Sequence, residues 1–148
     1  MISILFGFLC FFAYPQGQTN PQQSGPQYNF KIMTKGELRD VEGLHLSFTS
    51  YMATDGTGLM HIYNEFDSPD EARQYLEKQL HNVTRIVYRG EEKNETGKTI
   101  GLRAEVLIFS SDSKREAPSV YWTNGSNFHQ ILGDSFKEII QLEDNFTY

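Results

Sequence analysis

The sequence predicts an α+β domain, one antiparallel sheet of about six strands with two helices on one of its faces. Three observations carry that expectation. Short segments alternate apolar and polar residues, as half-buried strands do. Asp-Gly and Asn-Gly pairs stand between such segments, where tight hairpins select them. Two Ser-x-x-Glu capping boxes each precede apolar residues at helical spacing.

The elements follow in order. Leu44-His45-Leu46-Ser47-Phe48-Thr49 alternates and reads as a strand. Asp55-Gly56 turns the chain into the next one, with Met60, Ile62 and Phe66 on one face and His61, Tyr63 and Glu65 on the other. Ser68 caps a helix whose first residue is Pro69, a position that lacks an N–H partner in any case. Ala72, Tyr75, Leu76, Leu80 and Val83 form its apolar face. Arg85–Arg89 and Thr99–Phe109 read as strands joined by a polar loop around Glu91–Lys98. Val120–Thr123 and Phe128–Leu132 make a hairpin about Asn124-Gly125. Ser135 and Glu138 then cap a closing helix that buries Phe136, Ile139 and Ile140. The expected order is β-β-α-β-β-β-β-α.

The organisation of the chain points to export. Of the 148 residues, 1–14 hold an almost unbroken apolar run, ISILFGFLCFFAY, suited to a signal peptide or an N-terminal anchor. That run is shorter than the roughly 20 residues a membrane-spanning helix needs. Its start lacks Lys and Arg, and cleavage after Ala13 would place bulky Phe11 where a small residue is wanted. Residues 15–29 hold three prolines and five glutamines and read as a flexible tether. Residues 30–148 are then the folded domain. The expected location is the periplasm or the outside of the cell, with the leader as the sole link to a membrane. Cys10 is the only cysteine, so the domain has no internal disulfide and does not belong with disulfide-dense secreted folds. A cysteine-free exported body favours a bacterial source. The sequons at Asn82, Asn94, Asn124 and Asn145 are then incidental.

The net charge of −6 falls wholly on the domain, because no charged side chain precedes Lys31. An acidic body repels phosphate backbones, which argues against nucleic acid as a partner.

Catalytic motifs are missing. Lys98-Thr99 follows Gly97, but Glu92 stands where a phosphate loop needs its first glycine. No H-E-x-x-H, G-x-S-x-G or Asp-rich calcium loop occurs, so no cofactor and no metal site is expected. The candidate site is instead a convergence of His61, Tyr63, Glu65, Tyr121 and His129 on an open sheet face. Its chemistry would be proton transfer or a weak metal site, and the idea is lost if the two imidazoles lie more than about 10 Å apart. Trp122 shares a face with Val120 and is assigned to the core. These features predict a non-catalytic binding or accessory domain of the bacterial envelope. A protein partner would meet the open sheet face or an exposed hairpin edge. A small exported hydrolase without a local motif, or a secreted inhibitor, is the alternative.

Overall fold

A computed structural model describes residues 29–110 and 114–146. The leader and nearly all of the tether lie outside the described residues. The strands are β1 (Phe30–Arg39), β2 (His45–Ala53), β3 (Gly58–Glu65), β4 (Arg85–Lys93), β5 (Thr99–Ser110), β6 (Arg115–Asn124) and β7 (Asn127–Leu132). Helix α1 spans Pro69–Leu80, α2 spans Phe136–Glu143, and a 3-10 turn covers Asp144–Phe146.

All described strands join one antiparallel sheet in the order β1-β2-β3-β7-β6-β5-β4. Two meanders, β1 to β3 and β4 to β7, are joined by α1. They fuse where β7 pairs with β3. The α+β class and the single antiparallel sheet match the expectation, with seven strands in place of six. The added strand is β1. It is an edge strand, mostly exposed, and its register shifts between Ile32 and Thr34. With neither a buried face nor an unbroken alternation, it carries no periodic signal.

The helix caps form where they were expected. The Ser68 hydroxyl accepts from the Glu71 N–H at 3.2 Å, and Pro69 opens α1. The Glu71 carboxylate reaches back to the Asp67 N–H. The Ser135 hydroxyl accepts from the Glu138 N–H at the start of α2. In the β6–β7 hairpin Asn124 pairs with Asn127, so Gly125 and Ser126 form the loop, one residue later than expected. Gly125 adopts φ +59°, which glycine supplies without steric cost.

The two helices lie on opposite faces of the sheet, which corrects the expectation of one shared face. Helix α1 places Tyr75, Leu76 and Leu80 in a core with Leu46, Ile62, Ala104, Val106, Tyr121 and Phe128. Helix α2 places Ile139 and Leu142 in a second core with Leu59, Val120, Trp122 and Ile131. The cause lies in β6, where Pro118 through Thr123 are buried without alternation. A strand buried on both sides needs a layer on each.

At Gly101 the backbones of β5 and β6 approach closely. A Cβ there would sit 1.9 Å from the Thr123 carbonyl oxygen. The neighbouring Leu102 N–H donates to the buried Thr123 hydroxyl at 3.0 Å. Gly101→Ala is expected to cost about 1–3 kcal/mol through forced separation of the strands. A urea-denaturation midpoint checks this, and an unchanged midpoint would show that the β6 terminus yields freely.

Candidate functional site

Strand pairing assembles the site on the α2 face. Trp122 lies directly opposite His129, Tyr63 opposite His129 on the other flank, and His61 opposite Ile131. His61 Nε2 and His129 Nδ1 are 3.0 Å apart, and the two rings are within 7° of parallel. The imidazoles therefore converge, well inside the 10 Å that the sequence reading required. Trp122 stacks on His129 at 4.6 Å between centroids, with the rings 3° from parallel. The Phe146 ring, from the 3-10 turn, lies 4.2 Å from His61.

The face is not open, which is the second correction. His61 is 7% exposed and His129 is 5% exposed, because α2 and the following 3-10 turn lie over this side of the sheet. Tyr121 is not in the cluster. It points into the α1 core, where burial raises its phenol to about 12. Adjacent strand residues face opposite ways, so Trp122 takes the place beside His129 that Tyr121 was expected to fill. Tyr63 belongs to the cluster and is half-buried. Its ring is 5.2 Å from His129, and its hydroxyl donates to Asn127 Oδ1 at 3.1 Å. Glu65 is exposed on the same strand and pushes the Tyr63 phenol upward, after burial, which is the larger cause.

The site is built to hold its imidazoles neutral. Burial lowers His61 to about 4. Burial, with repulsion from His61 second, lowers His129 to about 3. One ring donates and the other accepts across the contact, so a single hydrogen occupies the gap. Closed off and neutral at physiological pH, the pair is poorly placed for acid–base work on a substrate. A common metal is also ill served, since the facing nitrogens aim at each other. Among the described residues, no three His, Cys, Asp or Glu side chains cluster as metal ligands.

The titrations have a consequence for stability. Both histidines carry folded values below the ordinary 6.5, so between pH 6.5 and about 4 the unfolded chain binds more protons than the folded one. Their contribution is complete above 6.5 and falls away as the pH drops toward 4. Urea midpoints at pH 7.5, 6 and 5 are expected to decline in that order. His61→Phe is expected to flatten the decline, and an equal slope in the variant would count against this assignment.

A second group, which the sequence reading missed, lies where the β4–β5 hairpin meets α2. Arg103 donates from Nε and Nη2 to the two Glu143 oxygens, both at 2.8 Å, and from Nη1 to Glu105 at 2.7 Å. Its guanidinium also lies over the Tyr88 ring. The hydrogen bonds it donates to Glu143 are the main reason the guanidinium is held even more firmly protonated than usual. A cleft of about 300 Å³ opens beside it, lined by Glu92, Asn94, Glu143, Ile140 and Phe146 among others. Burial, and then the Glu143 charge, raise the Glu92 carboxyl above its ordinary value. A sequence separation of 40 positions between Arg103 and Glu143 hides this cluster from any local motif.

The chain matches no protein-family model, and no curated protein or solved structure shows significant similarity to it.

Proposed function

We propose that this chain is an exported, non-catalytic binding domain of a bacterial cell envelope, and that it captures a protein partner along the free edge of β4. One observation carries the reading. Ile86, Val87 and Tyr88 are consecutive, apolar and exposed on an edge strand, and Phe109 is exposed at the same end of the sheet. Val87 is 52% exposed and Phe109 is 57% exposed. Just before β4, the Thr84 hydroxyl accepts from the Phe109 N–H at 2.8 Å, which ties the start of that edge to the end of β5. Single exposed apolar residues are ordinary, whereas a contiguous group on an edge suits a partner.

The local chemistry favours selective contact over indiscriminate strand pairing. The β4 register shifts between Ile86 and Tyr88, and Arg85 and Arg89 flank the apolar run. Bulges and cationic side chains both discourage long edge-to-edge ladders. Recognition would therefore rest mainly on side chains, supported by a short stretch of backbone. The apolar leader supports export, and the closed imidazole pair supports a non-catalytic role.

The test uses the chain in its native envelope. Cross-linked partner recovered with the wild type is expected to be lost with Val87→Glu combined with Phe109→Glu. The unfolding midpoint is expected to move little, since exposed substitutions usually change stability by about 0.5 kcal/mol or less. Capture that survives the double variant would overturn the edge as the site. The cleft beside Glu92 favours the second reading, a small exported hydrolase. Thermal stabilisation by a sugar, nucleotide or metal ion, abolished by Glu92→Gln, would favour that reading over the first.

A further inference from the structure

The cleft beside Arg103 joins the far end of β4 to the end of α2 and holds about 300 Å³. That volume lies at the low end of small-ligand pockets, roughly 300–1,000 Å³. Part of its lining is apolar. Ile140 contributes an aliphatic side chain that is 37% exposed, and Phe146 contributes a ring. Glu92 contributes a half-buried carboxylate.

Strand geometry leaves that carboxylate without a companion. A charged strand residue ordinarily meets its opposite charge directly across the ladder. Glu92 pairs with Gly101, which has no side chain to offer. Two residues earlier on the same face stands Gly90, and the Tyr88 ring occupies the space that a Cβ there would fill. Among the described residues Glu92 has no hydrogen-bond or ion-pair partner. A carboxylate partly withdrawn from water and left unpaired is costly, and a cation brought to it removes that cost.

The same lining disfavours an anion. Arg103 donates from Nε and Nη2 to Glu143 and from Nη1 to Glu105, so its fork is already filled by carboxylates. Lys93 stands at the exposed rim and pairs with Glu91 at 3.7 Å. A metal ion lacks donors, because no three His, Cys, Asp or Glu side chains cluster among the described residues. An organic cation meets both needs of the site. Its charged head forms a charge-assisted hydrogen bond, and its stem lies along apolar surface.

We propose that this cleft binds an alkylammonium group: Glu92 takes the charge, while Ile140 and Phe146 cover the aliphatic stem. A protein lysine and a small primary amine both carry this chemistry. The site does not depend on capture along β4, which is scored separately at Val87 and Phe109.

Amide NMR spectra of the full chain at pH 7.5 test it, with Nα-acetyl-lysine methylamide as the probe. The expected result is a saturable shift confined to the amides of residues 92–95 and 140–146. The norleucine analogue, which keeps the stem and lacks the charge, is expected to bind at least about tenfold more weakly, the loss of one charge-assisted hydrogen bond. Glu92→Gln is expected to weaken the lysine probe to the same degree. Ile140→Lys, which gives the cleft an ammonium of its own, is expected to exclude the probe with Glu92 intact, so the proposal stays open to test should Glu92→Gln fold poorly. n-Butylamine separates the two sources. Tighter binding of the lysine derivative assigns a protein lysine, tighter binding of butylamine assigns a free amine, and either supports the site. Equal binding of the norleucine analogue would overturn it, since the contact is then apolar alone. Wild-type affinity in a folded Glu92→Gln variant, or shifts that never saturate, would overturn it as well.

Discussion

Trp122→Ala is expected to lower the unfolding free energy by about 3–5 kcal/mol, the range for deleting a large buried aromatic side chain. Trp122 is 1% exposed and sits in the α2 core with Val120, Ile131, Ile139 and Leu142. Its indole also forms one wall of the imidazole pair. The cavity left behind cannot collapse easily, because the residues around it are fixed by strand register on both sides. The loss therefore combines transfer of the indole with an unfilled void. Urea denaturation followed by far-UV circular dichroism measures it. A cost under about 1.5 kcal/mol would mean that α2 packs loosely enough to settle into the gap. Trp122→Phe, which keeps a stacked ring on His129, is expected to recover a large part of the difference.

Arg103→Met is expected to cost about 2–3 kcal/mol. Removing one partner of a fully buried ion pair costs about 3–5 kcal/mol, chiefly because the remaining charge is stranded. Here the side chains of Arg103, Glu105 and Glu143 retain 15–21% of their exposure, so water softens the loss. Met keeps most of the aliphatic packing and removes five donors at once. Two carboxylates are then left facing each other across β5 and α2. Adding Glu105→Gln and Glu143→Gln is expected to restore most of the stability, since no stranded charge remains. If the triple variant is as unstable as the single one, geometry and not charge is what Arg103 supplies. High salt is expected to narrow the gap between wild type and Arg103→Met, through screening of the residual repulsion.

Much of the architecture was legible because it depends on neighbours in the chain. The Ser68 and Ser135 caps act over three residues, so local spacing reveals them. Alternation along His61, Tyr63 and Glu65, and along Phe128 and His129, assigned side chains to faces. An odd-sum hairpin register then sufficed to put His129 on the face of Trp122 and to exclude Tyr121. The uninterrupted burial of Val120, Tyr121 and Trp122 in the structure goes with cover on both sides of β6, and hence with helices on opposite faces.

The sequence by itself determined the α+β class, the capped helices, the hairpin turns and the distribution of side chains along each strand. These follow from backbone dihedral preferences and from periodicities of two and 3.6 residues, which are local properties. Only the tertiary structure decided that β1 joins the sheet as an edge, that α2 covers the histidines and that Arg103 clamps Glu143. An edge strand with a bulge has no buried face to impose a pattern. Cover over a polar strand face comes from a helix whose destination depends on which side of the sheet has apolar area left to bury. A histidine with the same flanking residues is solvated on a bare sheet and neutral under a helix, because its ionisation responds to dielectric surroundings that distant residues create.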